Sequence, residues 1–193
     1  DGFAYKLVPI KTPRKENNPF DMGRIDSEKM YQLVKKWKWG NSGNRNIYHD
    51  VETRRNSITY RSHMARLIES LINERELKKA EEIIDLAMEK MPIDIFGYYT
   101  FLEPFVGAYY EINAKEKGRN LYNKIILKYQ ENLNYFSQIS DINQSIYIEA
   151  IYSDIERYKS LVDTLSLYEK EEIIKMEMEK FNGFLRLFTN EDL

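Results

Sequence analysis

RSHMARLIESLINERELKKAEEIIDLAMEKMP, residues 61–92, decides the fold. Met64, Leu67, Ile68, Leu71 and Ile72 recur at the three- and four-residue steps of one helical face. Leu77, Ala80, Ile83, Ile84 and Ala87 repeat that spacing after a polar break at residues 73–76, so the stretch reads as two amphipathic helices joined by a short turn.

The same spacing resembles the tetratricopeptide pattern, W-x2-L-G-x2-Y followed by A-x3-F and a closing P, matched at Leu67, Ala80 and Pro92. Met64, Leu71 and Ile84 stand in for its Trp, Tyr and Phe, and Ile68 departs from its Gly. Downstream, Val106-Gly107 and Tyr110 fit the core of a second repeat, with Gly107 lying 39 positions after Ile68. That exceeds the roughly 34-residue period, so a lengthened linker is expected. Gly107, lacking a Cβ, would let two helices approach closely, and Pro104 would reset a helix that begins near Tyr98. The partner helix runs from Lys115 to about Lys128 and is degenerate, with Arg119 in place of the expected Ala and Gly118 beside it.

Outward from this core, Asp26 or Ser27 is expected to cap a first helix from Glu28 to about Trp37, with Met30, Leu33, Val34 and Trp37 on its apolar stripe. Gly40-Asn41-Ser42-Gly43 stops it. Residues 132–142 read as a short helix or turn. Then Ile148, Ile151, Ile155, Tyr158, Val162 and Leu165 form one stripe, and Ile174, Met178, Phe181, Leu185 and Phe188 a second. These predict a terminal antiparallel pair capping the array. The expected fold is all-α: tetratricopeptide-like hairpin repeats in a right-handed superhelix, with repeat 1 at 53–92, repeat 2 at 96–130, terminal helices at 143–188 and the helical domain spanning 26–193. Residues 1–25, punctuated by Pro9, Pro13 and Pro19, form an irregular, extended lead-in from an upstream domain. Its apolar residues Phe3, Tyr5, Leu7 and Phe20 either pair with that domain or wrap over the helices.

Composition narrows function. The 193 residues carry 29 basic and 31 acidic side chains, a balance that gives no reason to expect nucleic acid or an anionic membrane surface as partner. With no Cys and two His, thiolate chemistry and Cys- or His-rich metal sites are excluded. No apolar run approaches the roughly 20 residues a bilayer requires. Carboxylate pairs such as Glu81-Glu82 and Glu171-Glu172 sit among lysines on charged helix faces, and no phosphate loop, nucleophile elbow or metalloprotease motif is present. No catalytic, cofactor-binding or metal-binding residue is expected.

What remains are binding candidates. Tyr98, Tyr99, Tyr109 and Tyr110 cluster on the first helix of the second repeat, the side that lines the concave face of such arrays, where rings can stack on peptides or sugars. Core packing accounts for part of the group, and Tyr98, Tyr99 and Tyr109 are the ligand-facing candidates. Arg54, Arg55 and Arg61 could hold phosphate or carboxylate, although a solvated, ion-paired face is the commoner use of such a cluster. Trp39, two residues beyond Trp37, either packs against the small helix it closes or offers a stacking platform.

The strings Phe3-Ala4-Tyr5-Lys6-Leu7-Val8-Pro9-Ile10, Trp37-Lys38-Trp39-Gly40-Asn41 and Arg54-Arg55, with the repeat ending at Met91-Pro92, resemble the C-terminal soluble region of a bacterial multispanning membrane-protein family of unknown function. That family is itself similar to protein O-mannosyltransferases of the glycosyltransferase-C class. The resemblance implies a parent protein whose membrane domain carries the transfer chemistry, and an extracytoplasmic, periplasmic place for this tail, with the cytoplasmic side left open. The expected role is a non-catalytic module binding a protein or peptide, the parent's own membrane domain or a glycan acceptor. The alternatives are a scaffold that packs on or dimerises the parent, and a carbohydrate-handling domain.

Overall fold

The computed structural model describes residues 23–188. They form an all-helical chain that divides into two compact units, the first ending at Tyr98 and the second beginning at Tyr99. The expected lead-in at 1–25 lies almost wholly outside the described residues.

The first unit holds α1 (Ser27–Val34), α2 (Val51–Asn73), α3 (Leu77–Lys90) and the single turn α4 (Ile93–Phe96). Two of its helices, α1 and α2, start at capping aspartates: Asp26 accepts from the Lys29 amide and Asp50 from that of Thr53, each satisfying a donor that the first helical turn leaves unpaired. The α2–α3 turn passes through Arg75 in the left-handed region (φ 64°), and the two helices pack together as the expected hairpin. Met64, Leu67, Ile68 and Leu71 of α2 meet Ala80, Ile83, Ile84 and Ala87 of α3 in a core closed to solvent. α1 is shorter than expected, ending at Val34, which buries its side chain completely.

The loop after α1 is fastened to the end of α3 and to α4. Ser42 donates to the Lys90 carbonyl at 2.7 Å, Arg45 reaches Asp94 at 3.2 Å and the His49 ring lies 4.7 Å from that of Phe96. Gly43 permits this contact, because a Cβ there would fall 2.1 Å from the Glu89 carbonyl oxygen.

The second unit opens with a 3-10 turn (Tyr99–Leu102) and α5 (Glu103–Glu111), the reset expected at Pro104. α6 (Lys115–Gln138), α7 (Asp141–Ile146), α8 (Ile148–Ser166) and α9 (Glu171–Leu185) follow. α5 pairs with α6, α6 with α8 and α8 with α9. Phe105, Val106, Leu121, Tyr122, Ile125, Ile126, Tyr129, Tyr158, Leu161, Val162 and Leu165 fill the core.

Two expectations change here. α6 continues ten residues past Lys128, because Leu133 is fully buried and Asn132 is held by the side chains of Tyr99 and Asp154. The close approach expected at Gly107 occurs instead at Gly118: a Cβ at Gly107 would meet only a methyl group of Thr164 at 3.8 Å, whereas at Gly118 it would stand 3.0 Å from the ring of Tyr110.

Candidate functional site

The binding candidates occupy unlike environments. Arg61 is wholly buried. Its Nη1 donates to the carbonyls of Gly97 (2.6 Å) and Tyr98 (3.1 Å), and its Nη2 to that of Met91 (2.7 Å). Burial pushes its pKa down to about 10, so the guanidinium stays charged at neutral pH. It therefore works as a strap across the 91–98 connector, buried rather than on the solvated surface expected of an arginine cluster, with its Nε finding no acceptor among the described residues. Arg54 is half-buried, with an Nε that finds no acceptor among the described residues, and Arg55 is exposed and loosely paired with Glu52 at 4.0 Å.

The tyrosines divide similarly. Tyr109 is buried, with Gly118 packed beside it and the Lys117 ammonium 6.0 Å from its ring centre. Tyr98, in the left-handed region at φ 47°, gives its carbonyl to Arg61. Tyr99 is half-buried: its hydroxyl accepts from Asn132 at 2.6 Å and its ring meets Tyr129 edge-on, while burial raises its pKa to about 12. Trp39 joins a triangle with Trp37 and Tyr60, the centroids 5.3 to 5.7 Å apart.

Most tyrosine hydroxyls in the second unit serve as fasteners. Tyr122 donates to Glu177 (3.1 Å), Tyr110 to Glu169 (2.6 Å), and Tyr129 makes a short bond to Glu103. Desolvation comes first among the causes that raise all three phenols, and the neighbouring carboxylates add to it. Glu177 is itself buried and is paired with Arg119 (2.8 Å) and Lys180 (3.0 Å). Glu103 takes Arg157 at 3.2 Å. Burial likewise raises the Asp154 carboxyl, but Asn132 occupies one of its oxygens. These carboxylates are each tied to a cation, an amide or a phenol within the unit. Among the described residues, no group of three or more His, Asp or Glu side chains is placed to hold a metal ion, and no helix is long and apolar enough to cross a membrane.

The surface that the sequence reading missed lies where α6, α7 and α8 meet. Tyr135, Ile146 and Tyr152 are exposed by 60%, 69% and 61%, and Tyr147 and Ile148 are also open to solvent. The rings of Tyr135, Phe136 and Tyr147 run in contact, with centroids 5.6 Å apart at each step. Ile148, expected to pack as the first residue of the α8 stripe, falls instead at the start of that helix, one turn before Tyr152 on the same outward face. The only sequence signal is the crowding of apolar residues at 146–148 and 151–152, which period counting absorbs into a buried stripe.

No family model, no curated protein and no solved structure matches the chain.

Proposed function

We propose that this chain is a non-catalytic, tetratricopeptide-like interaction module of a larger membrane-bound glycosyltransferase-like protein, and that it engages a protein segment through the α6–α8 surface. The parent context rests on the resemblance of its sequence strings. The repeat reading is supported by two hairpins, α2 with α3 and α5 with α6, each joined by a turn of a few residues.

The observation that carries the binding role is the solvent-facing run Tyr135, Ile146, Tyr147, Ile148 and Tyr152. Contiguous exposed apolar side chains of this kind mark interaction surfaces, while scattered ones are ordinary. The chemistry favours a peptide over a sugar: two isoleucines match apolar side chains, and the nearby hydroxyls are phenols rather than the carboxylates and amides that grip sugar hydroxyls.

Chemical-shift mapping of the full chain with a panel of short acceptor-like peptides and oligosaccharides tests this reading. Shifts confined to residues 135 and 146–152 with peptides alone support it, and Tyr147→Ser should then weaken binding by roughly 30-fold, as expected of a central aromatic anchor. Shifts with oligosaccharides alone would replace it with a glycan-handling role. Silence from both, with dimerisation through this surface, would leave a scaffold.

A further inference from the structure

The α6–α8 surface carries a charge as well as an apolar face. Residues 129–156 hold Glu131, Asp141, Glu149, Asp154 and Glu156 but no Lys or Arg, in a chain that has 29 basic side chains. Three of these acids stand beside the open rings. On α6, Glu131 precedes Tyr135 by one helical turn, and both are exposed. On α8, Tyr152 has Glu149 one turn before it and Glu156 one turn after it, all three exposed. Glu149 and Glu156 form no ion pair among the described residues, and Glu131 meets Lys128 at 2.9 Å, one turn farther from Tyr135. The first cation downstream, Arg157, is held by Glu103 at 3.2 Å.

This inference rests on the reading that the α6–α8 surface binds a protein segment. We propose that the segment is cationic and amphipathic: its apolar side chains cover Tyr147, Ile148 and Tyr152, and lysines or arginines along its margin meet Glu131, Glu149 and Glu156. Apolar contact supplies most of the affinity, while the acidic margin selects the partner and speeds its approach. The open phenol rings add to that preference, because a ring face attracts a cation. A segment edged with Asp or Glu meets like charge on both helices. A second copy docked face to face does the same, since a two-fold contact sets the patch against itself. An anionic lipid surface is repelled for the same reason.

The test uses two synthetic helical peptides of equal length and identical leucine pattern, one with lysine and one with glutamate at the polar positions, titrated into the full chain. The lysine peptide should shift the resonances of Tyr135, Tyr147 and Tyr152 and bind roughly 30-fold more tightly than the glutamate peptide, with the difference shrinking at high salt. Replacing Glu131, Glu149 and Glu156 together by Gln should weaken the lysine peptide roughly ten-fold without changing the helical circular dichroism. Equal affinity of the two peptides, or a triple variant that binds as the parent does, would overturn the cationic preference and leave the surface a binding face. A lysine–serine peptide that binds as tightly as the lysine–leucine one would overturn the amphipathic requirement. Phosphatidylserine vesicles that shift the same resonances would replace the segment with a lipid surface. No shift at residues 135 and 146–152 with either peptide would overturn this inference together with the reading on which it rests.

Discussion

Removing the Arg61 side chain should unfold the first unit far more readily than removing a surface arginine. Arg61 is fully buried and directs three hydrogen bonds to the carbonyls of Met91, Gly97 and Tyr98. Desolvation is what lowers its pKa, and the carbonyl dipoles around it are what hold the guanidinium in place. In Arg61→Ala each abandoned carbonyl costs about 1–3 kcal/mol, or about 3–9 kcal/mol for the three. Recovering the desolvation cost of the cation and letting the connector relax both reduce that sum, leaving a net loss of about 3–5 kcal/mol. Against a typical total of about 5–15 kcal/mol, this takes a large share of the unit's stability. Arg61→Lys, whose single ammonium cannot span all three carbonyls, should lose about 1–3 kcal/mol. Arg61→Met keeps the bulk without the donors and should fall between Lys and Ala. The assay is urea unfolding followed by tryptophan emission, which reports the first unit alone because both tryptophans lie in it. Arg61→Ala within about 1 kcal/mol of the parent would refute the strap and make Arg61 a ligand-binding candidate again.

Three further perturbations probe other parts. Gly43→Ala should cost about 1–3 kcal/mol in the same urea assay, since its Cβ would collide with the Glu89 carbonyl and lift the loop from α3; a neutral result would mean that the loop is not docked. Glu177→Gln leaves Arg119 without its ionic partner inside the second unit and should lower stability by about 3 kcal/mol by circular dichroism, whereas Arg119→Met with Glu177→Leu and Tyr122→Phe, which removes the pair and the phenol that donates to it together, should recover much of the loss. Above pH 10 the second unit should lose stability steeply. The unfolded chain releases its phenolic protons there, while Tyr110, Tyr122 and Tyr129, with pKa values raised by burial, keep theirs in the fold. The unfolded state then binds fewer protons, so stability falls with rising pH by about 1.4 kcal/mol per unit for each tyrosine. Urea midpoints that stay flat between about pH 9 and 11 would contradict the buried phenol–carboxylate pairs.

The parts of the fold that could be read in the sequence are those that local chemistry controls. Asp26 and Asp50 cap helices because a short side-chain oxygen needs only the next turn of backbone to bond. Pro104 resets a helix because its ring acts on its immediate neighbours. Arg61 escaped because its partners lie 30 to 37 residues away and are carbonyls, which every residue carries and no pattern marks. The end of α6 escaped for a similar reason: Asn132 and Asn134 weaken helical propensity, and the contacts that override it come from Tyr99 and Asp154. Gly107 and Gly118 differ only in what stands opposite them, which a repeat template cannot state.

Tyrosine shows most clearly why the exposed aromatic surface lies away from the predicted helix. A tyrosine can be buried at little cost once its hydroxyl has an acceptor, and the second unit supplies acceptors from its own carboxylates: Glu103 for Tyr129, Glu169 for Tyr110 and Glu177 for Tyr122. Each such pair holds its ring inward, against the unit's own helices. Tyr109, one of the expected ligand-facing candidates, is buried with them. At the junction of α6, α7 and α8, Tyr135, Tyr147 and Tyr152 stay open to solvent beside Ile146 and Ile148. Exposing that much apolar surface opposes folding of the isolated unit, and a partner that covers it recovers that free energy as affinity. The distribution of phenols between fasteners and open rings, rather than their number in the sequence, is what makes this end of the unit the place to test the proposed binding.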